Sequence, residues 1–436
     1  MGLTARIAGL AAFAAAAPVP VFAIAGSGMR TAVQDLRLDP DVRIVDTPRA
    51  AAVLLIAGQT AALDAEALAR IHDALPHPRA TVAWRAVDPF VGPGGEGSVV
   101  VDGDDPVPAL RAVFRALLVG QRTSEASILP DEDAVDWRGV GPYGQGGSGM
   151  TGGTPYGRPM AELAPDRDGL RLDVLLVTLG PFYPRLPVGL VLDVQLAGDV
   201  LTEVAMSRSS AAGAGPASPF IRALSGPVSI AELELARARD HLRWLSDALV
   251  AQGLPAYGRR ALRLAHDVRA GDGRRVRAFA ARIRRSGVFR WSLPRTGRLG
   301  PAALGGLGLG PIARSAGVAE DIRGEDAAYR ALGFTPYLTD AGGPPGWWLM
   351  RTEEAARSLD LASEAGDRMT ALVGRVESPR GRLEPDDSPT ERTLTLLPEI
   401  LTGLEWGDAV ATLVGLDLDL DEMAAVGGTG VRRASA

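Results

Sequence analysis

The sequence predicts an α+β multidomain protein, in which a small α/β parallel-sheet domain precedes a domain built from a β-hairpin or sheet and a helical bundle. Short apolar runs alternate with helical patterns in the first 120 residues, two alternating β-type runs flank a Pro-rich corner, and long helical patterns follow. With 436 residues, of which 46% are hydrophobic, the chain is long enough for two or three domains with large buried cores.

The first part of the chain alternates between strand and helix. Apolar runs of strand length occur at Val42–Val45, Ala52–Ala57 and Thr81–Ala86, and apolar residues recur at helical spacing in Ala62–Ala74 and Pro108–Leu118. This alternation favours a mostly parallel sheet with helices packed against it.

A glycine-rich segment joins the two parts. Gly139–Met160 holds too many glycines for regular secondary structure. Glycine-rich loops also bind phosphates, but neither a Gly-Lys-Ser/Thr motif nor a strand–loop–helix pattern accompanies this one. A linker or partner-contact loop is therefore favoured, and Tyr143, Tyr156 and Arg158 would make the contacts if it docks on a neighbour.

Two β-type runs then flank a stiff corner. Leu170–Leu179 and Val188–Leu196 alternate as strands do, and Pro181, Pro184 and Pro187 lie between them. The pattern predicts a β-hairpin with a wide, rigid tip. Such a tip is suited to holding or touching another group.

Three helices are predicted after the hairpin. Ser229–Gln252 begins with a capping-box pattern, Ser229 with Glu232, and Tyr257–Val268 and Gly273–Ser286 follow after short connections, as in an antiparallel bundle. The third helix is rich in arginine. A solvated face is favoured there over docking on an acidic partner subunit or on anionic lipid headgroups.

Composition excludes several kinds of site. Cysteine is absent, which excludes disulfides, thiolate nucleophiles and cysteine-bound iron–sulfur or nickel sites. The four histidines, His72, His77, His241 and His266, have no ligand spacing, so no metal site is expected. The net charge of −6 gives no general signal for nucleic acid. Redox chemistry would need a soluble or borrowed cofactor.

Several segments resemble the large, hydrogenase-derived subunit of respiratory complex I and of membrane-bound hydrogenases. Leu179–Asp199 is similar to the hairpin that holds the quinone headgroup, whose pattern is Gly-Pro-x-His-Pro-x-x-His-Gly, although both histidines are absent here. Further similar segments follow in the family's order: Glu234–Pro255, Phe289–Gly297, Arg314–Val318 with Asp321–Arg323, and Leu397–Pro398 with Trp406–Asp417. The resemblance implies a helical-bundle domain of the NiFe-hydrogenase large-subunit type.

The first part resembles the small iron–sulfur subunit of the same assemblies. Thr47-Pro48-Arg49, Ala52–Gly58 and Leu75–Arg79 follow that family's order without gaps. The places of its four cluster cysteines are taken by other residues, namely Gly26, Ser27, Val87 and approximately Gly103. The chain thus resembles a fusion of the small and large subunits that lacks the cluster ligands.

The resemblance also locates the lost quinone ligands. Pro187 stands at the headgroup histidine, Tyr183 at the other hairpin histidine and Ala251 at the aspartate that pairs with the former. The family's quinone-binding tyrosine has no counterpart, because the stretch Ser207–Pro227 is shortened, and the family's His-His is Arg290-Trp291 here. No catalytic residue is expected.

The candidates for quinone or partner contact are Tyr183, Arg185 and Pro187 at the tip, and Arg314, Asp321 and Arg323 in a later loop. Packing of Tyr183 on the bundle is favoured over hydrogen bonding to a quinone or lipid headgroup. An internal salt-bridge network is favoured for the loop residues over a proton-relay or coupling role.

Two further sets of polar residues are expected to be structural. His241 is predicted to be a hydrogen-bonded core histidine. Asp417, Asp419, Asp421 and Glu422 are expected to form a solvated C-terminal edge rather than a cation site.

The predicted domains span residues 20–120 and 169–423, joined by a connecting segment at 121–168, and a disordered tail is expected at 424–436. Residues 1–25 resemble a secretory signal, but the run continues into the α/β pattern, so export is the alternative and the cytoplasmic face of the cell membrane is favoured.

Two functions are consistent with this pattern. The first is a non-redox or redox-degenerate structural or coupling subunit, peripheral to the membrane, docked on membrane-embedded antiporter-like and complex I-like subunits that translocate ions. It needs no cofactor. The alternative is a subunit of the NADH-quinone oxidoreductase type that still binds quinone, with electrons supplied by partner subunits.

Overall fold

The computed structural model describes residues 14, 16–87, 90, 97–130, 161–166, 168–209, 213, 218–287, 299–427 and 432–433. The glycine-rich segment Gly139–Met160, the pair Arg290-Trp291 and residues 1–13 of the signal-like stretch lie outside these residues. The expectations attached to them therefore stay predictions.

A parallel five-stranded sheet forms the first part of the chain. Its strands are β1 (Val19–Ala25), β2 (Val42–Ile44), β3 (Val53–Ala57), β4 (Ala80–Trp84) and β5 (Val99–Val101), in the order β2-β1-β3-β4-β5. All pairs are parallel, and every residue of β3 and β4 is buried, as expected for a sheet covered on both faces.

Helices cover both faces of this sheet. They are α1 (Arg30–Asp35), α2 (Ala65–Ala74) and α3 (Val107–Leu118). Val33 of α1 and Leu110 of α3 share one hydrophobic cluster with the sheet, whereas Leu68 of α2 belongs to the cluster on the opposite face. This layer arrangement confirms the predicted α/β part of the fold.

A second sheet, in which every pair of strands is antiparallel, contains the predicted hairpin. Its strands are β6 (Leu163–Pro165), β7 (Arg171–Leu179), β8 (Leu190–Ala197), β9 (Val200–Ser209) and β12 (Arg432–Arg433), in the order β12-β9-β8-β7-β6. Strands β7 and β8 pair from Val174 with Ala197 to Leu179 with Leu192, which confirms the hairpin. Strand β9 was not predicted.

The hairpin tip begins at a glycine that no other residue can replace without strain. Gly180 has φ +99°, and a Cβ atom on it would lie 2.0 Å from the carbonyl oxygen of Leu190. The same tip contains Leu186 N–H, which donates to the carbonyl of Tyr183 at 2.9 Å, and Leu190 N–H, which donates to the carbonyl of Pro187 at 3.1 Å. The corner is therefore a tightly hydrogen-bonded turn.

Four long helices form the predicted bundle. They are α5 (Ile230–Ala251), α6 (Pro255–Asp267), α7 (Gly273–Arg285) and α11 (Gly343–Ala365). They share one core, in which Leu245, Ala261, Val276 and Leu359 are each at most 1% exposed. The helix α11 was missed in the sequence, because its first turn, Gly343-Pro344-Pro345-Gly346, looks like a loop.

Ser229 caps α5 as predicted, but only half of the capping box forms. The Ser229 hydroxyl accepts a hydrogen bond from Glu232 N–H at 3.4 Å. The Glu232 carboxylate does not reach back to the cap, since Arg222 binds it instead.

The remaining elements connect the hairpin sheet to the bundle. They are α4 (Pro219–Ser225), α8 (Pro301–Leu304), α9 (Pro311–Ser315), α10 (Ala327–Ala331), β10 (Val376–Glu377), β11 (Arg382–Leu383), α12 (Pro389–Leu401), α13 (Trp406–Leu416) and α14 (Leu420–Gly427). The largest core lies between β8, β9, α12 and α13.

The expectation of a disordered tail after Met423 is wrong for part of that tail. The helix α14 continues to Gly427, and Arg432–Arg433 pairs with Arg208 and Ser209 of β9. Open backbone groups at the edge of a sheet recruit a further strand, a tertiary effect that composition does not show. No helix in the described part of the chain is both long and apolar enough to cross a membrane.

Candidate functional site

The hairpin tip lies against the parallel sheet. Phe182, 6% exposed, packs in the same cluster as Phe22, Leu54 and Ile56 on the face of the sheet that α2 also covers. Arg185 Nη2 lies 2.7 Å from Asp46 Oδ2 and ties the tip to the loop after β2. The tip therefore joins the two parts of the molecule.

A cleft of about 200 Å³ lies beneath this tip. Its walls are the tip from Phe182 to Val188, the carboxyl end of β1, the segment after β3, and residues of α5, α13 and the start of α14. Tyr183, Arg185 and Pro187, three of the predicted contact residues, all line it.

Tyr183 is a half-buried residue of the cleft wall. Its ring packs edge-on against Trp406, with 6.2 Å between ring centroids. Burial raises the pKa of its hydroxyl, and the Arg185 charge opposes this. The ring is thus packed within the chain, whereas the Tyr183 hydroxyl makes no hydrogen bond to a described residue.

A carboxylate still faces the cleft from α5. Asp247 lies one helical turn before Ala251, the residue aligned with the family's aspartate. Gln34 donates to Asp247 at 2.5 Å, Arg30 Nη2 lies 3.6 Å from it, and Arg37 also pairs with it. Burial acts to raise the pKa of Asp247, but the Arg37 and Arg30 charges lower it overall.

Asp35 forms a second ionic contact between α1 and the bundle. Its carboxylate lies 2.5 Å from Arg243 Nη1 and 2.9 Å from His266 Nε2. Together with the Asp247 contacts, this fixes α1 on α5. No local pattern predicts this interface, because each partner lies more than two hundred residues from the other.

The expectation of a solvated acidic edge at residues 417–422 is wrong. Asp417 is 4% exposed and contacts three arginines: Arg30 at 3.1 Å, Arg351 at 3.3 Å and Arg380 at 3.5 Å. Arg380 also lies 3.0 Å from Asp419. A buried carboxylate needs such partners, and here they come from distant segments that local sequence reading does not bring together.

The end of this acidic strip has raised pKa values. Asp421 accepts a hydrogen bond from Gly28 N–H at 2.7 Å, yet burial and the Asp419 charge raise its pKa to about 6. Burial raises the pKa of Glu422 to about 7, although Arg380 lies 3.5 Å away and lowers it. The guanidinium of Arg380 is shared among Asp240, Asp417, Asp419 and Glu422, and a single positive charge does not compensate four carboxylates.

These charges also border a second cleft, of about 380 Å³, on the other side of α1. Its walls include Gly28, Phe220, Asp240, Arg380 and Glu422. In the described part of the chain, no group of three or more His, Asp or Glu side chains is placed to hold a metal ion. The acidic residues here are bound by arginine instead.

The structure brings the other three predicted residues together in the core. Arg314 Nη1 lies 3.0 Å from Asp321 Oδ2, and Arg323 Nη2 lies 2.7 Å from the same oxygen. Arg314 and Asp321 have fully buried side chains, and that of Arg323 is 6% exposed. The three residues form the internal network that the sequence favoured.

Four residues missed in the sequence complete this network. Glu354 lies 2.5 Å from Arg314, and Glu377 lies 2.6 Å from it. Glu234 lies 3.3 Å from Arg323 and accepts a hydrogen bond from the hydroxyl of Tyr329 at 2.8 Å. They come from α5, α10, α11 and β10, so no motif contains them.

The network is unevenly charged. Burial acts to raise the pKa of Glu354, but Arg314 and the neighbouring groups hold it well below its usual value. Burial and the Asp321 charge raise the pKa of Glu377. The two guanidiniums therefore stabilise some of the carboxylates as anions, whereas Glu377 is the one that most readily takes up a proton.

His241 lies next to this network, as a buried core histidine. Its Nε2 atom is 3.3 Å from Glu354 Oε2, which is ion-pair distance, but neither ring nitrogen makes a hydrogen bond of normal geometry to a described residue. Burial lowers the pKa of His241. The predicted burial of His241 in the core is confirmed, and Glu354 is the polar side chain nearest to its Nε2 atom.

The positions aligned with the cluster cysteines lie at the loops after the strands. A Cβ atom on Gly26 would lie 2.2 Å from the carbonyl oxygen of Gln59, so a larger residue does not fit there. Gly103 accepts a hydrogen bond from the Trp84 indole at 2.8 Å. Ser27 lines the cleft, and Val87 is 73% exposed.

No protein-family model matches the chain. No curated protein matches it either. Among solved structures, the chain is similar to a chain from the membrane-bound sulfane sulfur reductase (MBS), an archaeal respiratory membrane complex. The two are 16% identical, the match covers 58% of this chain and 98% of that chain, and the TM-score is 0.41. A likeness of this degree assigns neither a family nor a function.

Proposed function

We propose that this protein is a non-redox structural or coupling subunit of a complex I-like membrane assembly, docked on ion-translocating membrane subunits through its hairpin tip. The observation that carries the proposal is the cleft under the tip. Its volume of about 200 Å³ lies below the roughly 300–1,000 Å³ of most small-molecule sites. Four carboxylates of its wall, those of Asp64, Asp247, Asp417 and Asp419, also pair with arginines.

The ion pairs of the cleft wall support a structural role, in which they hold the α/β part against the helical bundle. Asp247 and Asp417 both face the cleft, and both contact Arg30 of α1. The side chain of Asp417 is almost fully buried, and separating such a carboxylate from its partners is costly. The same atoms therefore serve to fix the parallel sheet against the bundle and are not free to bind a substrate.

The hairpin tip supports the choice of contact surface. It is rigid, since Gly180 admits no side chain and Phe182 is anchored in the first sheet. Pro184 at its end is exposed. An exposed residue on an anchored turn suits a protein–protein contact, because little conformational freedom is lost on binding.

A quinone-binding subunit is the second candidate, and one observation favours it. Tyr183 lines the cleft, and its hydroxyl has no hydrogen-bond partner among the described residues. A phenol in this state is able to donate a hydrogen bond to a quinone carbonyl.

The conservative variant Tyr183→Phe separates the two candidates. The ring contact with Trp406 is kept and only the hydroxyl is lost. The structural role predicts that the tagged variant purifies from membranes with the same membrane subunits as the wild type. Saturable quinone binding by the assembly that disappears in Tyr183→Phe would instead establish the second candidate.

Tyr183→Ala is the complementary variant. It removes the packing on Trp406, so the structural role predicts a loss of membrane subunits from the purified assembly. A purified chain that is monomeric, with no membrane partner in the wild type, would contradict the proposed function.

A further inference from the structure

The helices α6 and α7 present an arginine surface. Between residues 255 and 286 there are ten arginines and two aspartates, a net charge of +8, in a chain whose total is −6. The exposed arginines of this surface are Arg259, Arg260 and Arg263 on α6 and Arg274, Arg275, Arg277, Arg282, Arg284 and Arg285 on α7.

Both helices are amphipathic, which points the arginines outward. On α6, Ala261, Leu262 and Ala265 are at most 1% exposed, and on α7, Val276 and Ile283 are 1% exposed. These residues face the bundle, so the arginines, at the intervening helical positions, face solvent.

The two helices are consecutive in the chain, and α6 packs on α5 whereas α7 packs on α11. The rings of Tyr257 on α6 and Phe279 on α7 lie 6.5 Å apart, and both pack against the bundle core. The connection from Val268 to Asp272 is short. The arginines are therefore carried by two consecutive helices that meet at this pair of rings.

Few of these charges are neutralised within the chain. Arg275 pairs with Asp272 at 2.8 Å, and Arg277 pairs with Glu353 at 3.3 Å and with Asp360 at 2.9 Å. Within the described residues no ion pair is formed by the other arginines of the surface, which are Arg259, Arg260, Arg263, Arg274, Arg282, Arg284 and Arg285.

Electrostatic repulsion between neighbouring arginines makes this surface unfavourable in the isolated chain. Arg259 and Arg263 are one helical turn apart, and like charges at this spacing repel. The same holds along α7, where Arg282, Arg284 and Arg285 lie in the last turn. An external anionic surface would relieve this repulsion.

We propose that the arginine surface of α6 and α7 binds the phosphates of anionic lipid headgroups and lies on the membrane without inserting. Guanidinium groups bind phosphate oxygens in pairs. The large apolar side chains that are strongly exposed lie elsewhere in the described chain, so these helices offer none for insertion. Charges spread over several turns suit a flat array of phosphates.

This inference rests on the proposed function, which places the protein at a membrane. The test uses vesicles and the purified chain alone, so its result does not depend on the proposed partner subunits. The purified full-length chain is mixed with phosphatidylcholine vesicles, with or without phosphatidylglycerol, and sedimented. We expect binding only to the vesicles with phosphatidylglycerol, and weaker binding as salt is added, because salt screens exposed charges. Loss of membrane subunits from the native assembly would be a separate result, measured without vesicles.

The triple variant Arg259→Gln, Arg260→Gln and Arg263→Gln tests the residues. We expect roughly 100-fold weaker vesicle binding, since each arginine near an anionic membrane contributes about a fivefold factor. These side chains are exposed, so an unchanged circular dichroism spectrum and melting temperature are expected.

The matched control removes the same charge from the α/β part. It carries Arg43→Gln, Arg49→Gln and Arg115→Gln, and these three side chains are also exposed. Vesicle binding close to that of the wild type is expected. Equal loss in the control, equal binding to neutral vesicles, or retention on polyglutamate with no vesicle binding at low salt would overturn the inference, the last in favour of an acidic protein partner.

Discussion

Glu422→Gln should make the protein more stable at pH 8. The side chain of Glu422 is 8% exposed, and the charge of Arg380 that faces it at 3.5 Å is shared with Asp240, Asp417 and Asp419. Burial raises the pKa of Glu422 from 4.5 to about 7. Glutamine has the size and neutrality of the protonated acid, so the variant keeps the form that the folded protein prefers.

The magnitude follows from the pKa difference. The folded protein holds this proton more tightly than the unfolded chain, so stability falls as the pH rises from 4.5 to about 7. A difference of this size corresponds to about 3 kcal/mol at pH values above both pKa values. At pH 8, Glu422→Gln should therefore be more stable than the wild type by up to about 3 kcal/mol, and the gain should vanish near pH 4.5.

Urea denaturation of both proteins at several pH values measures this difference. The control is Glu399→Gln, which removes a carboxylate from an exposed position of α12 and should change stability by less than about 0.5 kcal/mol. A destabilised Glu422→Gln at pH 8, or a gain that does not depend on pH, would refute the reasoning, since it would mean that Glu422 is ionised and favourably paired.

Two further substitutions test the packing of the candidate sites. Arg314→Met leaves Glu354 and Glu377 buried without this partner, so it should lower the free energy of unfolding by about 3–5 kcal/mol in urea denaturation at pH 7. The surface control Arg277→Met should lower it by less than about 1 kcal/mol. Equal losses would show that the buried ion pairs stabilise the fold no more than the exposed one. Gly180→Ala, which places a Cβ atom against the Leu190 carbonyl, should lower the free energy of unfolding by at least about 2 kcal/mol, whereas Gly226→Ala has open space and should be within about 0.5 kcal/mol of the wild type; an unchanged Gly180→Ala protein would mean that the tip relaxes freely.

Local patterns predicted most of the secondary structure. The buried strands β3 and β4 are short apolar runs, and α5 has both a helical period and a cap at Ser229. The signal for each of these elements therefore lies within its own stretch of sequence. The helix α11 escaped detection because glycine and proline fill its first turn. Proline at the start of a helix is compatible with it, and only the burial of Trp347 and Trp348 shows that the segment is a core helix.

The candidate sites were predictable only as far as their residues are close in sequence. Arg314, Asp321 and Arg323 lie within ten positions of one another, so their network was expected, but Glu234 and Glu354 come from separate helices and were not. Long-range ion pairs leave no local pattern, because they depend on how the chain folds back on itself.

The acidic residues from Asp417 to Glu422 show that the exposure of a charged side chain depends on partners that are distant in sequence. Asp417 and its neighbours look like a solvated edge in sequence, yet the arginine that contacts Asp417 most closely is Arg30, which is 387 residues away. Alternating acids on a helix or loop are usually exposed, and the structure departs from this because arginines from three separate segments pair with Asp417.

The contact made by the hairpin tip tests the central claim most directly. A photo-crosslinking amino acid placed at the exposed Pro184 should form an adduct with a membrane-embedded subunit in native membranes, whereas the same group at the exposed Arg43 should not. Adducts at Pro184 with soluble electron-carrying subunits alone, or no adduct with any membrane-embedded protein, would contradict the proposed docking of this protein on an ion-translocating membrane assembly.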